Sequence, residues 1–160
     1  MRTRVCLAVV VALAVLAGSG ARAQTSSGTA AVLSPELASI PLERAKAEVV
    51  LATDVLRNQR AARALTELMR RGGRVVVLTA PQGLRDGEGY LLSLALAGAA
   101  VRTGKVTWRA AVVDGAVIVA GPHLAGIRSD DAVTLVVVDR TAAQAARAAI
   151  LRAWEGGTPP

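Results

Sequence analysis

A chain of 160 residues with 19 basic and 12 acidic side chains carries a formal charge of +7, and 52% of it is apolar. Two Trp, one Tyr and no Phe leave too little aromatic surface for a platform that stacks single-stranded nucleic acid. A single cysteine, Cys6, excludes both a disulfide framework and a thiolate metal site.

Arg2 and Arg4 precede an apolar run from Val5 to Ala17, followed by Gly18-Ser19-Gly20 and Ala21-Arg22-Ala23. A basic start, an apolar stretch short for a bilayer and an Ala-x-Ala end describe a secretory signal. Cleavage is expected after Ala23, and the alternative is an uncleaved anchor. The product would be exported, to periplasm or medium, and would keep no stable transmembrane segment. It would hold 137 residues, one domain with a real core, and 16 basic against 12 acidic side chains. That mild excess of +4 suits phosphate-bearing partners without singling them out.

Residues 24–38, small and polar at their start, are expected to form a flexible lead. The domain itself is expected over 39–155. Pro41 suits the first turn of a helix that should run to about Ala47. Val49 to Thr53 has the composition of a buried strand. From Asn58 to Arg71, Ala61, Ala62, Leu65, Leu68 and Met69 fall on one side of a helix, with Arg60, Arg63, Glu67, Arg70 and Arg71 on the other. That charged side is a solvated helix face or, less simply, a nucleic-acid groove. Gly72-Gly73 ends the helix, and Val75 to Leu78 is a strand covered on both faces. Pro81 to Gly89 is a loop, Tyr90 to Ala99 a helix, and Val101 opens another extended piece. Val106 to Asp114, Gly115, and Ala116 to Ala120 make a hairpin turned at Asp-Gly. Strand alternation then points Trp108 into the core, away from Thr107 and Arg109. Gly121 to Asp131 is a loop, Val133 to Val138 a strand, Ala142 to Trp154 an alanine-rich helix, and 156–160 a frayed tail. The order implies an α/β fold, a mixed β-sheet flanked by helices.

Two stretches carry a resemblance: Leu42 to Leu51 followed by Ala64 to Leu78, and the run Arg109 to Gly121 through Asp114-Gly115. In order and spacing they resemble the phospholipase D superfamily, in particular its small bacterial members with one catalytic motif per chain. The resemblance covers roughly Leu42 to Trp154 and implies a phospholipase D-like domain. It also implies cleavage of phosphodiesters through H-x-K-x4-D-G: histidine attacks phosphorus, a second histidine from a paired half-site protonates the leaving oxygen, and lysine stabilises phosphoryl charge. Counted back from Asp114, the histidine position holds Thr107 and the lysine position Arg109. Asp114 and Gly115 match. In the following loop Gly121 matches, Pro122 stands where serine is expected, and His123 lies near the asparagine position.

A threonine hydroxyl is a poor nucleophile without a base to take its proton, whereas Arg109 keeps a charge that can fork onto phosphate. The expected catalytic set is therefore degenerate, Thr107, Arg109 and Asp114, with Arg109 and Gly121 as phosphate-binding candidates. His123, the only histidine in the chain, is either a relocated nucleophile or acid or an ordinary loop residue. Asp114 is either a site residue or simply a hairpin-turn aspartate. Lys105 carries little weight, because it belongs to the turn before the strand. No zinc-ligand cluster, phosphate-cradling glycine loop or Ser-His-Asp set can be assembled, and no cofactor is implied.

Three functions stay open. One is a weak or inactive pseudoenzyme that binds a phosphodiester, either a phospholipid headgroup or nucleic acid. Another is a working phosphodiesterase, phospholipase or nuclease, and the last a non-catalytic interaction module with no phosphate site. The resemblance also implies a homodimer with half-sites across a two-fold axis.

Overall fold

Continuous Val-rich segments bounded by glycine and polar turns have nowhere to go but a sheet buried on both faces. In the computed structural model, which describes residues 28–127 and 133–160, these segments form one seven-stranded sheet. Its strands are β1 (Thr29–Leu33), β2 (Glu48–Ala52), β3 (Arg74–Thr79), β4 (Ala100–Thr103), β5 (Ala110–Val113), β6 (Val117–Ala120) and β7 (Thr134–Val138). The helices are α1 (Ile40–Glu43), α2 (Gln59–Arg70), α3 (Leu91–Leu96), α4 (Pro122–Ala125) and α5 (Arg140–Glu155). The expected signal, 1–23, lies outside the described residues.

Strand order is β1-β7-β6-β5-β2-β3-β4. β2, β3 and β4 run parallel, β5 pairs antiparallel with β2, and β6, β7 and β1 continue antiparallel. The sheet is mixed and flanked by helices, as expected from the order of elements.

Alternation along the strands divides the core in two. Val49, Leu51, Val75, Val77, Ala111 and Val113 pack with Leu65 and Leu68 of α2 and with Leu91 and Leu94 of α3. Val50, Val76, Leu78, Val112 and Ile118 pack on the other face with Ala143, Ala146 and Ile150 of α5. Ala143 and Ala146 of α5 are buried against that valine surface. Both long helices are capped by side chains: Asn58 accepts from the Ala61 N–H at 3.1 Å, and Asp139 from the Ala142 N–H at 3.0 Å. Gly72, at φ +85°, ends the α2 turn as the Gly-Gly pair predicted.

Several boundaries differ from the sequence expectations. Thr29–Leu33, part of the expected flexible lead, is the edge strand β1, paired with β7 from Thr29↔Val138 to Leu33↔Thr134. It is almost wholly exposed, so it carries no alternation to betray it. α1 stops at Glu43, not Ala47, because the amides that follow are taken by another segment. α3 is shorter than Tyr90 to Ala99, and Gly98 beyond it adopts φ +104°. β5 begins at Ala110 rather than Val106, so Trp108 is only half-buried against the α5-side core. Pro122–Ala125, expected as loop, is α4. The tail is not frayed: Thr158 pairs with Thr103 in both directions, at 2.8 and 2.9 Å. Beside it, the Trp154 indole donates to the Ala100 carbonyl at 3.0 Å, and the Arg102 guanidinium lies 4.4 Å from the Trp154 ring centroid.

The α2 cations behave as a solvated, paired face. Arg60 pairs with Glu43, Arg70 with Glu67 at 2.7 Å, and Arg71 donates to the Ala45 carbonyl at 3.1 Å. Among the described residues no helix is long and apolar enough to cross a membrane.

Ile150 is fully buried and anchors α5 to the sheet. Ile150→Ala is expected to lower unfolding free energy by about 2–5 kcal/mol. Guanidinium unfolding followed by circular dichroism measures it.

Candidate functional site

Register decides which residues can meet. β2 and β5 pair from Val49↔Val113 to Ala52↔Ala110, so the end of β2 and the start of β5 share one sheet edge. The end of β6 lies at the same edge, since Ala120 pairs with Ala110. This edge gathers Asp54, just beyond β2, Arg109, just before β5, and Gly121 and His123 after β6.

Arg109 is held by Asp54. Its Nε donates to Asp54 Oδ1 and its Nη2 to Asp54 Oδ2, both at 2.6 Å, a two-pronged charge-assisted pair. The two side chains are 35% and 34% exposed, so the pair borders solvent and is not sealed in the core. Burial pushes the Asp54 carboxyl up, but the bonds and charge of Arg109, with the Asp54 and Val55 amides, outweigh it. The net shift is below the ordinary aspartate value. Both partners are backbone-anchored. The Arg109 carbonyl accepts from the Gly121 N–H at 2.9 Å, and the Thr53 N–H donates to the Leu78 carbonyl at 3.1 Å. Gly83, in the 3₁₀ turn Pro81–Leu84, lies so close to the Asp54 carbonyl that a Cβ there would collide with it. The loop beyond is tied down by Arg57, which forks onto Asp86 at 2.9 and 3.0 Å and reaches Glu88 at 3.1 Å.

Of the expected site residues, Arg109, Gly121 and His123 come to this edge, whereas Asp114 lies at the other end of the β2–β5 pairing. Thr107 is exposed and lies in the stretch 104–109, outside any strand, so the alternation expected to set it beside Arg109 does not extend to it. Gly121 cannot offer its amide to phosphate, because that N–H is already committed to the Arg109 carbonyl. Its role is packing: at φ +142°, a Cβ would come within 2.6 Å of the Thr134 backbone.

His123 is in α4 and only 7% exposed. Its N–H donates to Thr134 Oγ1 at 3.2 Å, and its carbonyl accepts from Asn58 Nδ2 at 3.0 Å. Its ring Nδ1 is buried without a hydrogen-bond partner among the described residues.

Asp114 stands at the opposite sheet edge. Five residue steps along an extended strand separate it from Arg109, about 17 Å. Its carboxylate accepts from the Lys46, Ala47 and Glu48 N–H groups, each at 2.9 Å. Burial raises its carboxyl, but the three amides and the Lys46 charge prevail and hold it below the ordinary value. Asp114 at φ +49° and Gly115 at φ +62° make the hairpin turn, and the Gly115 carbonyl accepts from Gln144 of α5 at 3.1 Å.

Asp54 was missed by the sequence analysis. One acidic residue after a buried strand is an ordinary turn signal, and nothing in the sequence pairs it with an arginine 55 positions away. Among the described residues, no three His, Cys, Asp or Glu side chains gather as metal ligands.

Neither a family model nor a curated protein sequence matches the chain. Its fold has clear counterparts. Nuc from Salmonella typhimurium, a phospholipase D family member, superposes with a TM-score of 0.68 at 18% identity, over 82% of this chain and 97% of that one. NucT from Helicobacter pylori gives 0.71 at 15% identity, over 84% and 99%. TrmBL2, an archaeal chromatin protein with a novel mode of DNA binding, gives 0.59 at 12% identity, over 98% and 62%. The shared property at such identities is the fold, and it is the phospholipase D-like fold that the motif spacing implied.

The Asp114 clamp predicts a pH signature. A depressed carboxyl contributes stability that is present above its unfolded value, about 4, and is lost as pH falls through the lower folded value. Asp114→Asn, which keeps the turn but not the charge, is expected to cost about 1 kcal/mol at pH 7. Parent and variant melting temperatures should draw together as pH falls from the unfolded value through the lower folded one. A constant offset across that range would refute the clamp's charge dependence.

Proposed function

We propose that this chain is an exported, non-hydrolytic module with the phospholipase D fold, whose site edge keeps one anion-binding cation, Arg109. The observation that carries this reading is the dispersal of the motif. Counted back from Asp114, Thr107 falls at the motif's nucleophile position, while Arg109 is engaged by Asp54 at 2.6 Å and Asp114 clamps the far edge. In-line attack on phosphorus needs a nucleophile, a proton donor and positive charge within a few ångströms of one atom. Here the positive charge has no histidine of the motif beside it.

A guanidinium fork fits a phosphodiester as it fits a carboxylate, so the ligand class is a phosphodiester oxyanion, whether of a lipid headgroup or of nucleic acid. Export follows from the Arg2 to Ala23 pattern alone. A homodimer bringing two such edges together belongs to the same reading. The competing reading, an interaction module with no phosphate site, draws on the fact that the Arg109 fork already has an occupant.

Purified protein is expected to show no turnover of bis(p-nitrophenyl) phosphate above buffer. Activity that survives purification and disappears in His123→Ala would overturn the non-hydrolytic reading. Phosphate or tungstate at millimolar concentration should raise the melting temperature if Arg109 binds oxyanions, since a ligand of the folded state stabilises it.

A further inference from the structure

We propose that the Asp54 carboxylate is an internal anion occupying the oxyanion seat of Arg109, so that an external phosphate binds there only by displacing it. This rests on the anion-binding reading above and adds the residue that controls it.

The pair has the geometry of a bound ligand. Two parallel N–H···O bonds of 2.6 Å from Nε and Nη2 are the contacts with which arginine grips two oxygens of a carboxylate or a phosphate alike. An oxyanion entering from solvent would need those same donors. Its approach would also be opposed by the like charge of Asp54.

Position separates this pair from the other ion pairs among the described residues. Arg57–Asp86, Arg60–Glu43 and Arg70–Glu67 have arginines roughly half exposed or more, and they tie loops and helix faces. Arg147–Glu48, at 2.5 Å, is more buried but fastens α5 to the start of β2, the edge where Asp114 stands. In Arg109–Asp54 both partners are about one-third exposed, at the edge formed by the ends of β2 and β6 and the start of β5. It is also built to re-form. The turn containing Gly83 packs on the Asp54 carbonyl, and the Gly121 amide holds the Arg109 carbonyl, so neither backbone needs to move when the side chains part. A tethered competitor of this kind acts at high effective concentration and weakens every external ligand of the same donors.

The test titrates inorganic phosphate and, separately, diethyl phosphate into parent, Asp54→Asn, Asp54→Ser and Asp54→Asn/Arg109→Gln proteins by calorimetry. Circular dichroism establishes that each is folded. Removing the carboxylate is expected to tighten binding of both probes about tenfold, with the gain abolished in the double variant. Asp54→Ser supplies the comparison if Asp54→Asn does not fold. Tightening of diethyl phosphate alone would narrow the seat to diesters and still support the proposal. Equal affinity in parent and Asp54 variants, dependent on Arg109, would overturn the internal-anion proposal and leave the anion-binding reading standing. Weaker binding in the Asp54 variants would make Asp54 a positioning residue for Arg109 and would likewise overturn it. No binding by any variant at 50 mM probe, a concentration of about the weakest useful affinity, would bring down both.

Discussion

The antiparallel seam between β2 and β5 is the constraint on which the rest depends. Four residue pairs, Val49↔Val113 to Ala52↔Ala110, join the parallel half of the sheet to its antiparallel half. A slip of one residue would turn every valine of β5 to the opposite face, so the two buried cores leave the register no freedom. Both ends of the seam follow from that register. At one end the carboxylate of Asp114 meets the three amides that open β2, and at the other Arg109 meets Asp54 just past the end of β2.

These two aspartate contacts are chemically alike and functionally different. Asp114 takes amides that a terminating α1 would otherwise leave unpaired, and it serves the backbone. Asp54 takes the guanidinium donors of Arg109 at an edge that borders solvent. A stretch that is continuous along the chain is thus split between opposite ends of the β2–β5 seam, Asp114 bonded to amides at one end and Arg109 to Asp54 at the other. Glycines support the same division. Gly121 allows β6 to turn tightly against Thr134, and Gly83 lets a loop settle on Asp54.

Much of the architecture was legible because local signals agreed. The α2 stripe of Leu65 and Leu68, the Val75 to Leu78 strand, the Asp114-Gly115 turn and the helix through Ala146 each satisfy a period or a turn rule. Where the expectation failed, the deciding contact lay far off in sequence. β1 is an exposed edge strand defined by β7, over a hundred residues away. Thr158 is ordered by Thr103, and α1 is cut short by Asp114. The site was less legible. Arg109 and Asp114 could be singled out by spacing, yet spacing along a strand says nothing of which edge a partner occupies.

By itself the sequence determined the class of fold, the two-faced valine sheet, the hairpin at Asp114-Gly115 and the absence of an imidazole at position 107. These depend on side-chain type and periodicity, which are properties of short segments. Only the tertiary structure decided that Asp54 closes on Arg109, that the Gly121 amide is spoken for, and that Asp114 serves the opposite edge. Each of those is set by strand register and by loops folding back, quantities that exist only once distant segments are paired.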